Sequence, residues 1–102
     1  MTGDINVIEC LRNGEDSYTQ FKENVHDAKK LAEEMVAFSN ASGGQLFIGV
    51  SDSGAVVGLE DGDIQRLNQL VSNTANENVK PPIYPLVEIH AIDDKKIMLV
   101  RI

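Results

Sequence analysis

Six residues, Gln45–Val50, limit the folds open to this chain more than any other stretch. They are apolar except for Gln45 and Gly49, with Gly43-Gly44 before them and Ser51-Asp52-Ser53-Gly54 after. A short apolar run between turn signals predicts a strand covered on both faces. Just upstream a helical apolar pattern runs into Asn40-Ala41-Ser42-Gly43-Gly44, where glycine is the expected left-handed stop. Downstream, Ala55–Leu59 is expected to return as the partner strand of a hairpin. The order is helix, glycines, strand, and no lysine follows. A phosphate loop and a dinucleotide fingerprint both need strand, glycines, helix, so neither is present. Asn40, Gly43, Gly44, Gly49, Gly54 and Gly58 therefore read as structural positions, with the glycines serving cap and turn geometry.

The rest of the chain is arranged around that strand. Asp4 is an N-cap candidate for a short helix over Ile5–Arg12, with Ile5, Ile8 and Leu11 as its apolar stripe and Asn13-Gly14 as its end. Glu15–Lys22 reads as extended, since Tyr18 and Phe21 favour strands. From His26-Asp27 to about Ser42 the residues Ala28, Leu31, Ala32, Met35, Phe38 and Ser39 repeat at helical spacing. Lys29, Lys30, Glu33 and Glu34 occupy the wet side, in the weaker Lys-to-Glu orientation at i,i+4. Asp61-Gly62-Asp63 opens a second helix, with Ile64, Leu67 and Val71 as its stripe, and it must stop before Pro81-Pro82. Ile83–Ile92 reads as a strand that Pro85 places at an edge or entry point. Asp93-Asp94 is a turn, and Lys96–Ile102 is the last strand. The final residue sits inside an apolar run, so residues 1–102 read as a single domain forming the N-terminal part of a longer protein.

Composition restricts the function classes. The formal net charge is −7 over 102 residues, which opposes a generic phosphate-binding surface. The basic residues that cluster in sequence are Lys22, Lys29 and Lys30, and at the far end Lys95, Lys96 and Arg101. Cys10 is the only cysteine, which excludes an internal disulfide and a cysteine zinc site and suits a reducing cytoplasm. No signal peptide or membrane-length apolar run is present. His26 and His90 lack the spacing of a zinc motif and read as cap or surface residues.

Four pieces of the sequence resemble the Schlafen-type AlbA-like DNA-binding domain family. They are Glu15 with Phe21-Lys22, Ala37-Phe38-Ser39-Asn40, Gly43-Gly44 through Ile48-Gly49-Val50, and Asp52, Gly54 and Val57-Gly58-Leu59. The resemblance implies an α+β fold: a mixed sheet of about five strands, two main helices packed on it and a short N-terminal helix. It also implies nucleic acid, DNA or RNA, as partner. Family members with nuclease activity carry two glutamates five residues apart and an aspartate after the glycine-rich strand, which together would hold a divalent metal. Here Glu15 and Asp52 match the first and third positions, and Gln20 replaces the second. A neutral amide removes one unit of negative charge from a hard-cation site. The expectation is a non-catalytic DNA-binding regulatory domain of a bacterial transcriptional regulator, without cofactor, contacting nucleic acid through Lys22, Lys29 and Lys30. The alternatives are a Mg- or Mn-dependent ribonuclease using Glu15 and Asp52, and an interaction module that self-associates through a sheet edge such as Lys96–Ile102.

Overall fold

Strand β2 (Gln45–Ile48) has no solvent face: Leu46, Phe47 and Ile48 are all essentially buried. The computed structural model describes residues 2–102, with side chains from Asn6 onward. Around β2 the chain sets α1 (Thr2–Asn13), β1 (Thr19–Lys22), α2 (Ala28–Asn40), α3 (Asp61–Asn73), β3 (Leu86–Ile92) and β4 (Lys95–Arg101); a π-helical turn, Thr74–Asn78, continues α3. The fold is α+β, with a mixed sheet in the order β1-β2-β4-β3. β1 runs parallel to β2 with Phe21 opposite Phe47, and β4 lies antiparallel between β2 and β3. A parallel neighbour needs a crossover, and α2 supplies it.

Strand alternation divides the core in two. Phe47, Val50, Ile97 and Leu99 meet Val7 and Leu11 of α1, together with Phe21 of β1. Leu46, Ile48, Met98 and Val100 meet Leu31, Ala32 and Met35 of α2 and Leu67 and Val71 of α3. The Phe21 and Phe47 rings pack edge to face, 5.9 Å apart at 73°.

The helices end where local chemistry stops them. Asp27 caps α2, accepting from the Lys29 N–H at 2.9 Å and the Lys30 N–H at 3.3 Å. At its other end the Gly43 N–H reaches the Phe38 carbonyl at 2.7 Å, a Schellman-type closure. The expected glycine stop is shifted: Ser42 already takes the left-handed conformation at φ 74°, and Gly43 follows at φ 104°. Gly43 is required for a second reason, since a Cβ there would lie 2.7 Å from the Ile102 carbonyl oxygen. α3 opens with the Glu60 N–H donating to Asp63 Oδ2 at 3.2 Å. Arg66 then ties α3 to the segment after β1, donating to the Val25 carbonyl and to Asn24.

Four expectations change. The sheet has four strands, because Ala55–Leu59 makes only isolated bridges, Val50 to Val56 and Leu59 to Lys96. Gly49 is the cause: at φ 101° it turns the chain, and its carbonyl accepts from both Val57 and Gly58, which a regular ladder does not allow. Gly58, also left-handed at φ 92°, breaks the extension again. In α1 the helix begins before Asp4, whose side chain, like that of Ile5, lies outside the described ones. Val7 and Leu11 form its buried stripe, while Ile8 is 39% exposed, because residues four apart share a face and Ile8 is a third of a turn away. Extended structure in the first strand is confined to Thr19–Lys22. Finally, β4 is an interior strand, so it offers no edge for self-association; the edges are β1 and β3. Pro85 does stand at the entry to an edge strand, and Asp93-Asp94 forms the β3–β4 turn with φ 51° and 66°.

Two measurements check this packing. Phe47→Ala should cost about 3–5 kcal/mol of unfolding free energy, read from a urea transition, because it empties the centre of the α1 side of the core. At the β3–β4 ladder, His90 Nε2 lies 2.8 Å from Glu88 Oε1, and Arg101 Nε donates to Glu88 Oε2 at 3.1 Å. The His90 contact, aided by Arg101, holds the Glu88 carboxyl below its ordinary value of 4.5. A depressed carboxylate stabilises the fold above its unfolded pKa and loses that contribution as pH falls through the lower folded value. Glu88→Gln should therefore flatten the decline of thermal stability below about pH 4.5.

Candidate nucleic-acid interface

The same alternation sorts the residues of β1. Thr19 and Phe21 turn toward α1: Gln45 Nε2 donates to Thr19 Oγ1 at 3.2 Å and lies 3.4 Å from Cys10 Sγ. Gln20 and Lys22 turn toward α2, and Lys22 Nζ pairs with Glu34 Oε1 at 2.9 Å. Glu34 thus joins a lysine on the neighbouring strand rather than Lys30 one turn earlier. Gln20, Ser17, Lys30, Glu33 and Glu34 line an open cleft of about 540 Å³ beside α2. Of the lining residue Gln20, the side-chain carbonyl oxygen is buried without a hydrogen-bond partner.

The remaining positions singled out in the sequence lie around this surface. Glu15 is exposed in the turn that precedes β1, where Asp16 bridges back to Thr19 and its Oδ1 accepts from the Tyr18 N–H at 2.8 Å. Asp52 is exposed in the loop after Val50, held by the Ala55 N–H donating to Ser51 Oγ at 3.1 Å. That loop is anchored on α1, with Gly54 directly against the Leu11 carbonyl. Among the described residues, no three His, Cys, Asp or Glu side chains form a group placed to hold a metal ion. Asn40 is the last residue of α2, and Gly44 packs directly on the Phe38 ring.

The basic clusters named from the sequence fare differently. Lys29 and Lys30 are exposed on the first turn of α2. The far-end group does not gather. Lys96 pairs with Asp61 at 3.1 Å, Lys95 Nζ reaches the Val56 carbonyl at 3.4 Å, and Arg101 lies on Glu88. Asp27 already fills the positive end of the α2 dipole, so an anion near Lys29 and Lys30 would be met by side chains, not by the helix terminus. His26 is exposed beside that cap.

A family model described as Schlafen, AlbA_2 matches residues 15–102. The chain belongs to that family. It is thereby a nucleic-acid-related domain of this superfamily. The fold is similar to that in the crystal structure of the DIP2311 protein from Corynebacterium diphtheriae, with a TM-score of 0.61 and 21% identity. The match covers 96% of this chain and 24% of that one, so this domain spans about a quarter of the other chain's length. No curated protein matches the sequence. Among the described residues, no helix is long and apolar enough to cross a membrane.

The cleft was only half legible in the sequence. Period-two alternation puts Gln20 and Lys22 on one face, but the approach of Ser17, Glu33 and Glu34 depends on where α2 crosses β1. The unpartnered oxygen leads to a test. A carboxylate in place of the Gln20 amide would be desolvated and share the cleft lining with Glu33, Glu34 and Lys30, while the Lys22 ammonium on the same strand face is already paired with Glu34. Desolvation and like charge raise a carboxyl pKa in the folded state. A raised pKa destabilises the fold above the unfolded value and has no effect below it. Gln20→Glu should thus lower stability by about 1–2 kcal/mol at neutral pH, with the deficit disappearing below about pH 4. Chemical denaturation of both proteins across that range is the check, and a deficit independent of pH would place the side chain outside the cleft.

Proposed function

We propose that this domain binds DNA as a non-catalytic regulatory part of a bacterial transcriptional regulator, in the cytoplasm and without a metal cofactor. The match of residues 15–102 to the Schlafen, AlbA_2 family is the observation that carries the reading. The neutral amide at Gln20, in place of a second glutamate, supports the reading without a three-carboxylate metal site. With a net charge of −7, affinity must come from a local surface rather than the overall field. Lys29 and Lys30 on the first turn of α2 are the exposed pair that serves this role, and Lys22 contributes when a phosphate competes with Glu34 for its ammonium.

Fluorescence anisotropy with labelled duplex DNA and single-stranded RNA at about 50 mM salt tests the reading. Binding is expected, and the double change Lys29→Glu, Lys30→Glu should weaken it by at least about tenfold and reduce the log–log salt slope by about 2. No binding to either probe at micromolar protein would remove the proposal. RNA cleavage with Mg²⁺ or Mn²⁺ that disappears in Glu15→Ala and in Asp52→Ala would replace it with the nuclease reading.

A further inference from the structure

The sheet's two edges differ. β1 is four residues long, and short edges are one way proteins avoid unwanted pairing. β3 is seven residues long and pairs with β4 in seven consecutive registers without a bulge. Its sequence, Leu86-Val87-Glu88-Ile89-His90-Ala91-Ile92, contains no lysine and no proline. Leu86 is 59% exposed and Ile89 43% exposed. Alternate N–H and C=O groups along its outer side point away from β4, as they must in any edge strand. Three usual protections, lysine, proline and a bulge, are missing from this edge.

We propose that β3 pairs antiparallel with β3 of a second copy of this chain, across a two-fold axis at Ile89. The occupant is identified by self-complementarity. With Ile89 opposite Ile89 of the partner subunit, Leu86 faces Ile92 of the partner subunit, Val87 faces Ala91 of the partner subunit, and Glu88 faces His90 of the partner subunit. Every apolar residue meets an apolar one, and each carboxylate meets an imidazole. Arg101, already on Glu88, completes a group of two carboxylates, two guanidinium groups and two imidazoles around the axis. A shift of one residue to either side would bring Glu88 beside apolar side chains or beside its own copy. An unrelated extended peptide would need this same alternation of acid and base to do as well. Parity is preserved, so the face that carries α1 in one copy continues as the face that carries α1 in the other. The result is a continuous sheet of eight strands from two four-stranded halves. This pairing is independent of the proposed DNA contact through α2.

Sedimentation velocity over a concentration series reads the oligomeric state, and a dimer is expected at about 100 μM. Ile89→Lys sets two ammonium groups on the axis and should raise the dimer dissociation constant at least about tenfold. A second variant guards against misfolding and fixes the register. Ile89→Cys brings two sulfur atoms together on the axis and should give a covalent dimer on mild oxidation. Leu86→Cys, at a more exposed site, faces Ile92 of the partner subunit and should not. The wild type reports any background through Cys10, and circular dichroism confirms that each variant is folded. A wild-type monomer at that concentration would overturn the proposal. So would a dimer indifferent to Ile89→Lys, or cross-linking at residue 86 equal to that at residue 89.

Discussion

The structure depends on complete burial of β2. A strand with no wet face must be roofed on both sides, and here α1 covers one and α2 with α3 the other. It must also be flanked on both edges, and β1 and β4 do that, one parallel and one antiparallel. Each constraint brings in a distant part of the chain. The parallel neighbour requires α2 as a crossover, and the antiparallel neighbour is supplied by the last strand. Fifty residues separate Ile48 from Met98, yet they are paired. The core is therefore held by non-local contacts, and loss of the centre of β2 is felt in both halves.

The same arrangement decides how charge is used. Seven more acids than bases leave few cations to spare, and most of those are taken up internally. Arg66 serves the α3 joint, Lys96 meets Asp61, Arg101 meets Glu88 and Lys22 meets Glu34. Of the exposed cations that remain for a phosphate backbone, Lys29 and Lys30 are adjacent at the start of α2, beside a helix end that Asp27 has already capped, while Arg12 and Lys80 stand apart from them in the sequence. Exposed ion pairs of this kind add little to stability. Their larger effect is to restrict where an anion can be met. The edge strand β3 shows the opposite economy: its acid and base are neighbours on one face, an alternation that matches its own reverse.

Gln20 shows how a family pattern and a fold can diverge at one residue. The strand position is kept, the side chain still points into a cleft, and its amide oxygen is buried without a partner. A buried acceptor without a donor is costly to keep, which makes it a feature to explain rather than a neutral replacement. The site also contains Glu33 and Glu34 from α2, so it is acidic already, but through a different set of residues from the one that the sequence pattern nominates.

Periodicity and turn chemistry alone determined the existence of the elements: a doubly covered strand within Gln45–Val50, of which Gln45–Ile48 is strand, a helix starting near His26-Asp27, a helix opened by Asp61 and Asp63, the Asp93-Asp94 turn and a strand within Ile83–Ile92, which begins only at Leu86. These are local, because hydrogen bonds within a turn and side-chain spacing on one element need no partner. The sequence could not determine which strands are neighbours. Lys96–Ile102 looks like an exposed terminus, and only the sheet order makes it the most buried strand after β2, with Ile97, Met98, Leu99 and Val100 all inaccessible. Likewise Ala55–Leu59 has the composition of a strand, and only the positive φ at Gly49 and Gly58 turns it into a loop. Val7 rather than Ile8 faces the core because the rotation of α1 is set by the sheet it lies on. Pairing, helix rotation and the facing of Gln20 are all long-range choices, made by the requirement that β2 be buried on every side.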